Sequence, residues 1–310
     1  MSAGGLLSIY IAVVFLGGAM LAPWVWHAVQ SLAHLLPSLQ GIADQPFHRY
    51  VNRCLLVLAL AGLWPLFQRS GIHSRAGIGW SGPWVRPLIA GSTLGLLAMG
   101  GVAVTAIAFG GREWVPPSEL VTWLRRLGSA AGSAVVVACM EELLFRGFLH
   151  GLLRRSYGFL TSAAASSAVY AWVHFFERPP QAESVHAWTG IVTLGQMLRG
   201  FTDLHSMVPG WLSLVVAGGL LAMARERTGS LAFAIGLHAG WIFWLKVYSF
   251  ATTAAPGANA WIWGSGRLFD GWVAFVLMIV QAVVVAAVLQ PKRCPTPPDS
   301  RTPFGQPSTP

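Results

Sequence analysis

Long apolar runs recur along the chain, and several reach the ~20 residues with which a helix crosses a hydrocarbon core of about 30 Å. Set against their polar flanks, they predict eight spans, at about 6–30, 52–67, 87–110, 129–150, 158–176, 208–225, 230–248 and 268–290. The short alternating segments of a β-barrel are absent. The pattern therefore predicts an all-α fold, a polytopic integral membrane helical bundle of about eight transmembrane helices. A further apolar stretch near 184–204 contains Arg199, Asp203 and three glycines, and reads as an interfacial or re-entrant piece. The first run starts near Leu6 without the cationic segment of a cleaved signal peptide, and reads as a retained span.

Four regions follow. Residues 1–128 hold spans one to three, 129–248 form a membrane core that carries the chemistry, 249–291 supply the last span, and 292–310 form a Pro-, Ser- and Thr-rich tail expected to be disordered.

Composition supports this reading. Of 310 residues, 55% are hydrophobic and 10% charged, against about 25% charged in soluble domains. The net charge of +9 is spread in small clusters between apolar runs, not gathered on one face, so orientation in a bilayer accounts for it and nucleic acid does not. Arg69, Arg75 and Arg86, then Arg154 with Arg155, Arg225 with Arg227, and Lys292 with Arg293 fall on one side of an eight-span alternation. That side is expected to be cytoplasmic, with both termini inside and the cell inner membrane as the location; Arg112, Arg125 and Arg126 are the exceptions. Cys54, Cys139 and Cys294 show no CxxC spacing, and Cys139 reads as a small buried hydrophobe.

Within span four, Glu141, Glu142 and Arg146 interrupt otherwise apolar sequence, where each charge costs at least about 2.5–3.5 kcal/mol. Glu142 and Arg146 are four apart with the acid N-terminal, so they share a helix face and neutralise each other. Glu141 is turned about 100° away. Without a cation of its own, it suits general acid or base work. Spans five and seven each add a histidine, His174 and His238. Ionisable groups in membrane spans normally face the bundle interior. Two imidazoles and a carboxylate suit a divalent metal such as zinc, with Glu141, His174 and His238 as ligands; equally, Glu141 activates water without metal while the imidazoles stabilise an oxyanion. There is no HExxH helix. His150, four residues after Arg146, reads as interfacial.

These residues resemble the CAAX-protease and bacteriocin-processing (CPBP/Abi) family of membrane endopeptidases. The matching words are Glu141-Glu142-xxx-Arg146, Tyr170-xxx-His174 and His238-xxx-Ile242, with Phe145-Arg146-Gly147 and the run from Arg227 to Leu231 around them. The resemblance covers roughly Val135 to Phe243. It implies an eight-helix intramembrane protease in which Glu141 activates water and His174 and His238 complete the site, glutamate- or metal-dependent. It also implies a hydrophobic, membrane-associated or lipid-modified peptide as substrate, with membrane lipid as the other partner. Two departures stand out. Ile242 occupies a position where the family often has Asn, and residues 178–209 look like an insertion able to cap the site or select substrate. Ile242 favours a second reading, a non-catalytic scaffold or bacteriocin-immunity protein of the same fold. A proton-coupled transporter is a third, but no internal repeat supports it.

Overall fold

The computed structural model describes residues 3–70, 75–201 and 204–289. Among these, eight helices of 15 residues or more fall on the eight predicted spans. In chain order they are α1 (residues 3–35), α2 (Phe47–Ser70), α3 (Val85–Ala108), α4 (Leu120–Arg154) and α5 (Phe159–Val173). After the short α6 (Thr189–Met197) come α7 (Leu204–Thr228), α8 (Ala232–Ala251) and α9 (Trp272–Val288). The chain is a polytopic helical membrane protein. Four helices, α1, α3, α4 and α7, are long and apolar enough to cross a bilayer, and α5 and α9 are shorter apolar helices. Exposed side chains such as Leu97, Val104, Val136 and Val283 clothe the outside in hydrocarbon, as lipid rather than water requires. The predicted tail lies outside the described residues.

α8 is the hub. From Ala232 to Ile242 every residue is buried, and glycine explains how a helix can be enclosed so tightly. On α3, Gly91 and Gly95 are four apart, as are Gly236 and Gly240 on α8. A Cβ added at Gly91 would lie 2.2 Å from the Phe233 carbonyl oxygen, and one at Gly236 would lie 2.2 Å from that of Leu88. Each helix thus presents a GxxxG face on which the two backbones touch, the close approach that packs membrane helices without a hydrophobic driving force. His238 lies between the two α8 glycines in sequence.

Beyond this contact, β1 (Arg112–Trp114) pairs antiparallel with β2 (Thr252–Ala254) and ties the end of α3 to that of α8. The buried Arg112 guanidinium donates to the Thr252 carbonyl oxygen at 3.0 Å and to its Oγ1, and lies over the Tyr248 ring.

The predicted interfacial stretch contains α6, whose nine residues span only about 14 Å and cannot cross. It packs on α1, where a Cβ on Gly190 would lie 1.8 Å from the Ala19 carbonyl oxygen. Span five also differs from expectation: its helix stops at Val173 and His174 is the C-cap. Irregular chain at membrane depth is tolerated where it lines a cavity, and His174 and Phe176 line one.

Candidate active site

Both glutamates sit at the end of regular α-helix in α4. At Leu143 the hydrogen bonding widens into a π-helical stretch, Leu143–His150, a rare form that is frequent at functional sites and recurs in α1 at Val13–Gly17. Adjacent in sequence, the two carboxylates point to different environments. Glu142 has no exposure, whereas Glu141 keeps 24%.

Glu142 Oε1 accepts from Arg146 Nη1 at 3.0 Å, the pair the spacing predicts. The arginine head is equally enclosed. It lies 4.3 Å from the Tyr170 ring centroid, with Nη2 3.4 Å from the Gly218 carbonyl oxygen. Sequence reasoning missed a second partner: Glu142 Oε1 also lies 2.8 Å from His238 Nδ1. Glu142 thus joins α4 to α8 as well as neutralising Arg146.

Glu141, which the sequence leaves without a partner, faces both histidines. Its Oε2 lies 3.7 Å from His174 Nε2 and 3.7 Å from His238 Nε2. The hydrogen bonds on the far side of each ring fix what faces the carboxylate. His174 Nδ1 lies 2.7 Å from the Tyr170 carbonyl oxygen, which only accepts, so this nitrogen carries a proton, and in the tautomer this bond favours Nε2 turns its lone pair to Glu141. For His238, the Glu142 carboxylate beside Arg146 likewise accepts from Nδ1, leaving Nε2 to accept from the Tyr170 hydroxyl at 3.3 Å with its lone pair also facing Glu141. Three acceptors therefore converge. Glu141 Oε2 is buried with no hydrogen-bond partner among the described residues.

That convergence suits a group that brings donors or positive charge, such as a water molecule. As a metal centre it is correct in kind: two imidazoles anchored through Nδ1, as metal-binding histidines are, and a carboxylate oxygen. The spacing is wider than zinc needs, since bonds of about 2.0–2.1 Å in a tetrahedron separate ligand atoms by about 3.3 Å. Among the described residues no group of three or more His, Cys, Asp or Glu is placed to hold a metal ion. As they stand, these residues do not fit one, and the chemistry below is derived from the side chains alone.

Tyr170 is the other residue that sequence reasoning left without a role. Its ring packs on Arg146, its hydroxyl reaches His238 and its carbonyl holds His174. The signal was its place four residues before His174, one helical turn away.

Three other residues differ from their sequence reading or refine it. His150, expected at the interface, is 2% exposed and stands 3.8 Å from Glu226. It is therefore covered by protein, although it lies near the exposed Arg154–Glu226 pair. Cys139 is only partly buried. Ile242 is buried beside α4 with Ala134, Ala138 and Ile235.

Two cavities reach this group. One of about 340 Å³ is bounded by apolar side chains of α1, α2, α4 and α5 and includes Glu141 in its wall. The other, of about 610 Å³, is lined by His174 and several cations. Phe176 borders both.

Among known families, residues 123–244 match the model of the Rce1-like type II CAAX prenyl endopeptidases. Glu141, Glu142, Arg146, His174 and His238 all lie inside that segment. No curated protein and no solved structure matches the chain.

Proposed function

We propose that the chain, whose residues 123–244 match the Rce1-like type II CAAX prenyl endopeptidase model, is an intramembrane endopeptidase with Glu141 as its general base. The observation that carries this reading is the convergence of Glu141 Oε2 with the two imidazole Nε2 atoms, 3.7 Å from each. A water molecule held there donates one proton toward the carboxylate and the other toward an imidazole, leaving its lone pairs free for attack. Glu141 takes a proton as the water oxygen adds to the peptide carbonyl. It returns that proton to the departing amine, so that one water and one peptide bond become one acid and one amine. The second imidazole, once protonated from bulk water, or the Tyr170 hydroxyl as it turns from His238, donates to the oxyanion. Glu142 and Arg146 act by position: Glu142 fixes the His238 tautomer and Arg146 balances its charge.

The apolar cavity beside Glu141 supports a hydrophobic, membrane-associated or lipid-modified substrate. The insertion, residues 178–209, contributes Arg178 to the larger cavity, which supports a part in substrate selection.

Purified protein with a hydrophobic reporter peptide tests the assignment. Glu141→Gln is expected to lower turnover by about 10²–10⁴-fold with folding intact, and cleavage at the wild-type rate overturns it. Elemental analysis of the same sample tests the metal-dependent form: stoichiometric zinc, and activity lost to a chelator, would make Glu141, His174 and His238 ligands. Ile242 favours a non-catalytic scaffold or immunity protein. That reading predicts an unchanged cellular phenotype for the folded alanine variants of Glu141, His174 and His238.

A further inference from the structure

The larger cavity has a composition that peptide hydrolysis does not require. Four cations line it, each from a different segment: Arg126 from α4, Arg178 after α5, Lys246 from α8 and Arg267 between α8 and α9. All four are exposed, and no acidic residue shares the lining. Nearby, Asp270 is occupied by Ser265, whose backbone N–H donates to it at 2.9 Å. Arg126 rests over the Phe250 ring. Four like charges on converging segments repel one another, so the cavity is set up for an anion.

Its floor indicates which anion. His174 lines the cavity, and its Nε2 is 3.7 Å from Glu141 Oε2. Phe176 borders both this basic vestibule and the apolar cavity whose wall includes Glu141. A chain laid across the carboxylate therefore has an apolar portion on one side and a portion among four cations on the other. A lipid headgroup is better served by cations on the outer, lipid-facing surface than by a recess leading to the proposed base.

The geometry points to a substrate peptide whose hydrophobic segment is followed, on the His174 side of the cut, by carboxylates. These are Asp or Glu side chains, and the vestibule reads them by charge. This rests on the protease reading and adds the substrate's polarity to it.

The test measures binding separately from cleavage. The probe is a fluorescein-labelled peptide with a leucine-rich segment followed by three glutamates, made with a free or an amidated C-terminus, beside the same peptides with glutamine. Fluorescence anisotropy is read with the Glu141→Gln protein in an uncharged detergent. Glutamate peptides are expected to bind about tenfold more tightly than glutamine peptides at low salt, with the difference shrinking as salt rises. The amidated peptides remove the terminal carboxylate, so a difference that persists in them belongs to the glutamate side chains. The Arg178→Glu/Arg267→Glu protein, altered only at exposed positions, is expected to prefer a lysine version of the probe. The proposal is overturned if the glutamates do not change affinity in the amidated peptides, or if charge reversal leaves the preference intact. It is also overturned if the reversed protein binds the peptides as before but loses co-purifying phosphatidylglycerol, which would make the recess a lipid site. A wild type that binds with this preference but does not cleave counts against the protease reading alone. Cleavage without the preference counts against the vestibule alone.

Discussion

Arg146 and Glu142 are 2% and 0% exposed, and each offsets the buried charge of the other. Removing one member of such a pair leaves an uncompensated buried charge, at a cost of about 3–5 kcal/mol. Arg146→Met is therefore expected to lower the thermal midpoint in detergent sharply, and an unchanged midpoint would show that the guanidinium is dispensable to the fold. This pair was legible from spacing alone, because both residues share one helix. The bond from His238 to Glu142 was not, because it joins residues 96 apart and depends on how α8 packs against α4. Ile242 gives a second test at this scale. It is packed among alanines and Ile235, so Ile242→Asn buries an amide in an apolar setting. The expected loss is about 1–3 kcal/mol by the same thermal assay. A stability equal to wild type, with higher turnover, would mean that the amide reaches the site instead.

Element packing depends on the α3–α8 contact. Glycines Gly91, Gly95, Gly236 and Gly240 let the two backbones meet, and His238 is carried by the same turns of α8. Gly236→Leu cannot be absorbed by a side-chain shift, since the nearest atom is the Leu88 carbonyl oxygen. It is expected to yield aggregated protein on size-exclusion chromatography or a large drop in midpoint. Gly101→Ala, with no atom within 4 Å of the added carbon, is expected to behave as wild type; equal behaviour of the two variants would remove the contact from the account. The eight helices were legible because membrane length and hydropathy constrain each by itself. GxxxG spacing is present in the sequence, but spacing does not name the partner helix. Nor did it reveal the π-helical stretch Leu143–His150 or the early stop of α5 at Val173. Both depend on what surrounds the helix rather than on its own residues.

Across the whole molecule, the cations divide between two ends. Arg154, near Glu226, marks one, and Arg126, Arg178, Lys246 and Arg267 gather at the other around the vestibule. Arg126 and Arg154 are 28 residues apart on α4, about 42 Å along the axis. A loop-by-loop count of the sequence favours the Arg154 end as cytoplasmic, but the fold shows how basic the opposite end becomes once separate segments converge. The bias between loops is therefore small, and orientation calls for direct measurement. Tyr157 and Trp261 are exposed at opposite ends. Single cysteines at these positions, in a background lacking Cys54, Cys139 and Cys294, can be labelled in intact cells with a membrane-impermeant maleimide. The eight-span fold predicts that one labels and the other does not. The charge reading predicts Trp261 as the labelled, outward position. Labelling of Tyr157 instead would keep the crossings, reverse the molecule and put the vestibule on the cytoplasmic face. Labelling of both from outside would contradict the number of crossings between them.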